Sequence, residues 1–261
     1  MGADREADRV IENLFGSTDR HLAKWAFVLR GHQLQRSKRF DEAIWHYKRS
    51  LSLDSKFAVA KNNLGAAYIE KAMIANDALD NRLDWRSLDF AATALDDAIE
   101  IDPAYDSAYS QMGVVLALRR EFDAAEWYLE RALTLRPKFM AAYLNLGELL
   151  TVQRKFDEAT DVYRRCTEAN PLFVRCYRYW ADLLAVEKGD RSAAIELYEK
   201  AIAADPKYLA VRVALANLEM QRGNTDRAVT QYKSIQELEP GKYAFLLHGI
   251  LVDPEPQAPA R

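Results

Sequence analysis

Six small residues recur along the chain at nearly one spacing: Ala43, Ala91, Ala125, Ala159, Ala194 and Ala228. From Ala91 onward the steps are 34, 34, 35 and 34 residues, and the first step is 48, one period lengthened by fourteen residues. Twelve residues behind runs a second series, Ser55, Pro103, Pro137, Pro171, Pro206 and Pro240. A third is in phase with both: Leu64-Gly65, Met112-Gly113, Leu146-Gly147, Trp180-Ala181 and Leu215-Ala216. A chain that repeats itself at such a period is an array of one supersecondary unit, in which each copy buries its apolar face only against its neighbours.

The unit is a helical hairpin. Tyr143, Leu146, Gly147 and Leu150 are spaced i, i+3, i+4, i+7 and share one helix face. Ala159, Val162, Tyr163 and Cys166 form the matching stripe of a second helix. Gly147 and Ala159 are small enough to let the two helices approach closely. Pro171 lacks an N–H and restricts its predecessor, so the second helix should end near Asn170. With 10 glycines, 8 prolines and 49% apolar residues, the composition fits a packed helical protein.

The phrases Phe40-Asp41-Glu42-Ala43, Phe122-Asp123-Ala124-Ala125 and Phe156-Asp157-Glu158-Ala159, with the Leu-Gly and Pro series, resemble the tetratricopeptide-repeat family over residues 24–242. The resemblance implies an all-α, right-handed superhelical solenoid of about six hairpins. Its repeats are drawn at 24–57, 58–105, 106–139, 140–173, 174–208 and 209–242. The first is degenerate, with Arg30 at the usual Leu position and Ser55 at the Pro. Residues 1–23 read as an N-terminal capping helix carrying Val10, Ile11, Leu14 and Phe15. Residues 243–251 read as a short apolar cap that packs on the last repeat or serves self-association, and 252–261 as a disordered tail.

The fourteen extra residues fall at about 71–84, without Gly or Pro. About four helical turns' worth of chain extends the second hairpin by roughly two turns on each helix. Trp85 then lies near the base of a projecting tip. That tip is either an outer contact surface or an ornamental extension with Trp85 packed on the neighbouring hairpin.

Other functional classes find little purchase. The formal net charge is −3, which argues against a general affinity for nucleic acid or anionic membrane. No apolar run approaches the length of a membrane span, and the charged start lacks an apolar signal core, so the chain reads as cytoplasmic. His21, His32, His46 and His248 show no metal-binding spacing, and no nucleotide or nucleophile motif occurs. No catalytic residue, metal or cofactor is expected. Cys166 and Cys176 show neither a metal spacing nor a disulfide framework and read as core residues.

What the resemblance implies instead is a protein or peptide partner held on the first helices of the hairpins. Asn63, Gln111 and Asn145 occupy one position in successive units, with Asn62 and Ser110 beside them. They resemble the amide ladder of those family members that grip the backbone of an extended peptide, a carboxamide offering both donor and acceptor. The alternative is a solvated polar face. Further on, Arg175, Arg178 and Tyr179, with Glu148 and Asp182, form a candidate receiver for an acidic side chain or terminus. The plain alternative there is a local i, i+4 pair of Arg178 with Asp182. The two-carboxylate clamp of chaperone-binding relatives is not matched: Asn63 fits its second-repeat place, but Val28 and His32 hold the first-repeat places and Ser107 and Gln111 the third, so its basic members are missing.

A scaffold or adaptor holding an extended segment is therefore the leading expectation. The alternatives are a structural subunit of a secretion, pilus or membrane-associated assembly using residues 71–84 and the C-terminal segment, or a regulatory module of a larger enzyme.

Overall fold

The computed structural model describes residues 2–15, 19–77 and 83–240. Among these there are thirteen helices and no strand. α1 (Gly2–Phe15) precedes an alternation of first and second helices. The first helices are α2 (Arg20–Arg36), α4 (Ala58–Asp77), α6 (Asp106–Leu118), α8 (Met140–Val152), α10 (Val174–Val186) and α12 (Leu209–Gln221). The second are α3 (Phe40–Leu53), α5 (Trp85–Ile101), α7 (Phe122–Leu135), α9 (Phe156–Ala169), α11 (Arg191–Ala204) and α13 (Thr225–Leu238). The chain divides into two compact units, Met1–Asn145 and Leu146–Arg261.

In the first unit each helix from α1 to α7 packs on the next, and α4 also touches α2 and α6. Its core holds Tyr47, Leu88, Leu95, Val115 and Leu129, all essentially sealed from solvent. Asp19 caps α2, its carboxylate accepting the His21 N–H at 2.7 Å. The off-pattern Arg30 donates to Asp8 of α1 at 3.1 Å, which explains a charge at a position that other copies fill with an apolar residue. Phe15 of α1 meets the ring of Phe27 edge-on at 5.0 Å.

In the second unit α9 to α13 pack in succession. Ala181, Leu184, Ala194, Leu197, Tyr198, Val211 and Leu215 form one core cluster, and Ala216, Ala228, Tyr232 and Ile235 a second. α9 ends at Ala169 with Asn170 as its cap, immediately before Pro171.

Two expectations change. The extra length of the second hairpin is unequally shared: α4 has 20 residues, but α5 only 17. Asp84 sets the start of α5 by accepting the Ser87 N–H at 3.1 Å and its hydroxyl at 2.6 Å, so that helix cannot grow backwards by two turns. Residues 78–82 of the insertion, the apolar segment 243–251 and the tail lie outside the described residues. The second change concerns the cysteines. Cys166 and Cys176 are both buried, as read, but they are joined in a disulfide between α9 and α10 with the Cα atoms 6.1 Å apart. The short turn through Asn170 and Pro171 brings the two helix ends within bridging range.

Candidate functional site

The polar residues singled out in the first unit come together. Asn62 and Asn63 lie on α4, Ser110 and Gln111 on α6, and Asn145 follows in the same register. Gln111 donates through Nε2 to Asn62 Oδ1 at 3.0 Å, and Asn62 donates through Nδ2 to Asn63 Oδ1 at 3.3 Å. Asn145 donates through Nδ2 to the Ser110 hydroxyl at 3.3 Å. Asn62 and Ser110 are buried at 4% and 2% exposure and brace the row; Asn63 is itself nearly covered at 9%, while Gln111 and Asn145 are half-buried. Three groups remain without a side-chain partner among the described residues: Asn63 Nδ2, Gln111 Oε1 and Asn145 Oδ1. Each amide is thus held by one end and has the other end unused.

The residues singled out in the second unit also converge, with a different charge arrangement from the one expected. Arg175 and Arg178 stand 5.8 and 5.5 Å from the Tyr179 ring centre. Arg178 is already committed: its Nε lies 3.4 Å from Asp182 Oδ2, and it bonds Tyr208. The geometry at Nε is an ion pair without a direct hydrogen bond. Asp182 in turn accepts the Tyr198 hydroxyl. The Glu148 side chain is open to solvent, yet enough protein surrounds its carboxyl that burial pushes it above the usual glutamate range. The Tyr179 hydroxyl and the charges of Arg175 and Arg178 oppose that shift without cancelling it.

Glu148, Tyr179 and Asp182 line a pocket of about 520 Å³ between α8 and α10. The rest of its wall includes Val152, Leu183, Val186 and Glu187, none of which was singled out from the sequence. A signal was present. Val152 and Val186 stand one period apart at the ends of successive first helices, where solvent-facing residues are usually polar, and are 66% and 76% exposed.

Trp85 begins α5 and is 54% exposed. Nearby, Met73 and Ile74 on α4 are 48% and 41% exposed and line a second pocket of about 500 Å³ with Gln35, Phe40, Leu83 and Leu118. Among the described residues no helix is long and apolar enough to cross a membrane. Nor do three or more His, Cys, Asp or Glu side chains among them gather where they could hold a metal ion.

Residues 113–172 and 185–248 each match a tetratricopeptide repeat family model. No curated protein matches the chain in sequence. Among solved structures, PilF of Pseudomonas aeruginosa superposes with a TM-score of 0.63 at 17% identity, covering 88% of this chain and 98% of that one. A thermophilic tetratricopeptide-repeat protein of Thermus thermophilus gives 0.60 at 18% identity, covering 76% and 99%. A chain of the APC/C hetero-tetramer Cut9–Hcn1 gives 0.64 at 13% identity, covering 95% of this chain and 45% of that one. At these identities the likeness is one of fold.

Proposed function

From the premise that this chain belongs to the tetratricopeptide-repeat family, whose members bind protein partners, we propose that it is a non-catalytic scaffold that holds an extended peptide segment against its first helices. The observation that carries this reading is the half-satisfied amide row. Asn63, Gln111 and Asn145 are each oriented by one internal hydrogen bond and keep a donor or acceptor unused. A peptide backbone supplies the complementary N–H and C=O groups whatever its side chains, so such a row grips main chain and leaves selectivity to flanking pockets. Pre-orientation matters because side chains already fixed lose less entropy when the partner arrives.

The test is affinity capture from a native lysate with the wild type and with Asn63→Ala/Gln111→Ala/Asn145→Ala, read by mass spectrometry, with helicity and melting compared in parallel. A partner lost only by the variant supports the groove. An identical partner list from an equally folded variant overturns it.

A second reading has its own observation. Met73, Ile74 and Trp85 place exposed apolar surface beside the insertion, as an assembly contact would need. Met73→Ser/Ile74→Ser/Trp85→Ser should then abolish self-association or complex formation while the amide variant leaves it intact.

A further inference from the structure

We propose that the pocket between α8 and α10 receives a lysine or arginine side chain of the bound segment. This deepens the peptide-groove reading and rests on it. It also reverses the charge expected from the sequence, where Arg175 and Arg178 stood out as receivers of an acidic group.

Three observations carry the reversal. The pocket wall includes three carboxylates, Glu148, Asp182 and Glu187, and no lysine or arginine. Two of the three nearby cations are spoken for: Arg178 is paired with Asp182 and bonded to Tyr208, and Lys188 donates to Asp157 at 2.6 Å, while Arg175 stands 5.8 Å from the Tyr179 ring centre and outside the pocket wall. Asp182 is correspondingly engaged by Arg178 and Tyr198. Glu148 and Glu187, by contrast, form no ion pair among the described residues. Neither carboxylate has a cation in direct contact: Glu148 is met by the neutral Tyr179 hydroxyl, and Arg175 and Arg178 act on it only from a distance.

The third observation is the apolar wall. Val152 and Val186 are largely exposed and flank Leu183. An acidic side chain would meet three carboxylates there, and a purely apolar one would bury Glu148 and Glu187 without a partner. A lysine or arginine satisfies both parts of the wall: its alkyl stem covers the valines and its head meets the carboxylates.

The experiment uses the full chain and capped Ala/Ser peptides that are identical except for one guest residue: Arg, Lys, norleucine, Gln or Glu. Binding is read from amide chemical shifts of Thr151, Val152 and Val186 at physiological salt, so that weak complexes are seen and long-range attraction is screened. Arg and Lys peptides should bind on the order of tenfold tighter than the norleucine and Glu peptides. Glu148→Gln/Glu187→Gln should erase that advantage while leaving helicity unchanged.

Equal binding of all guests, or a basic preference that survives in the Gln variant, overturns the inference. If the guests bind equally and Asn63→Ala/Gln111→Ala/Asn145→Ala abolishes that binding, the groove reading stands and only the pocket assignment falls. If the basic preference persists in that amide variant, the pocket stands and the amide grip falls. If no peptide moves any groove amide, both are overturned.

Discussion

A β-carbon built on Gly147 would collide with the ring of Tyr163, 2.3 Å from Cε1, 2.4 Å from Cζ and 2.8 Å from the phenol oxygen. The two residues belong to α8 and α9, and Tyr163 is sealed at 1% exposure. Gly31 and Tyr47 repeat the arrangement in the first unit. A rigid ring cannot yield as a leucine can, so Gly147→Ala should cost about 1–3 kcal/mol by overpacking. Tyr163→Leu in the same chain should recover part of that loss, because Leu129 is what faces Gly113 in the first unit. Denaturant midpoints of the two singles and the double check this. Strict additivity would mean that the ring is not what excludes the methyl group.

The same pair shows why the fold was legible in the sequence and much of the site was not. Small residues at a fixed interval and a proline twelve residues later report backbone events, close helix approach and helix termination, which depend on local chemistry. The disulfide reports a distance across a turn, and two cysteines ten residues apart carry no signature of it. The amide row was legible because a polar residue recurred at one position, but that Asn62 and Ser110 brace it was not. Arg175 and Arg178 looked available because sequence shows a charge and conceals its partners. Val152 and Val186 stand one repeat apart, but sequence does not show which apolar residues of a helix end are left exposed.

The turns between first and second helices contain a correctable strain. Lys38, Arg120 and Arg154 adopt positive φ of 59°, 64° and 62°, and the corresponding turn near the end of the chain has Gly223 at 79°. A side chain in that region costs roughly 1–2 kcal/mol, and glycine returns some of the gain as unfolded-state entropy. Arg120 is exposed, and its N–H bond to Ala117 O at 3.0 Å does not need the side chain. Arg120→Gly should therefore stabilise by about 0.5–1 kcal/mol, measured as a raised denaturation midpoint with an unchanged slope. Arg120→Val should do the opposite.

The disulfide closes a short loop, with a sequence separation of 10 between Cys166 and Cys176. Closing so short a loop restricts the unfolded chain by about 2–3 kcal/mol. Thiol titration in denaturant should find no free thiol in the oxidised protein, and reductant should lower the denaturation midpoint accordingly. Cys166→Ala/Cys176→Ala should melt at the lower value with or without reductant. Two titratable thiols in protein kept from reductant would contradict the link.

His46 gives the first unit a pH dependence. Its ring lies against Trp45 at 4.8 Å and Phe27 at 5.8 Å, and its Nδ1 is buried without a partner. Burial lowers its pKa, the charge of Arg30 lowers it further, and Glu42 opposes them weakly. Because the folded value lies below the unfolded value of about 6.5, protonation favours the unfolded chain. The contribution is complete above that value and is lost as pH falls from it through the lower folded value. Stability should decline over that interval, and His46→Leu should remove this part of the decline. A parallel loss in the variant would assign the decline to carboxylates instead.

Glu219 is a charge inside the second unit, 1% exposed on α12. It accepts Arg227 Nη1 at 2.8 Å and Asn224 Nδ2 at 2.6 Å, both at the start of the last hairpin's second helix. Removing one partner strands a buried carboxylate, which costs about 3–5 kcal/mol in a closed interior. The Arg227 side chain is 60% exposed, so solvent reaches the pair and the expected loss for Arg227→Met is nearer 2–3 kcal/mol. Arg227 also reaches Glu199 at 3.1 Å on the surface, and Glu199→Gln should cost only a few tenths. Replacing both members, Arg227→Met with Glu219→Met, should restore most of the stability, since no charge is then left unpaired. If Arg227→Met proved no more costly than Glu199→Gln, the arginine would be a surface residue that happens to lie near Glu219, and Asn224 alone would satisfy the carboxylate.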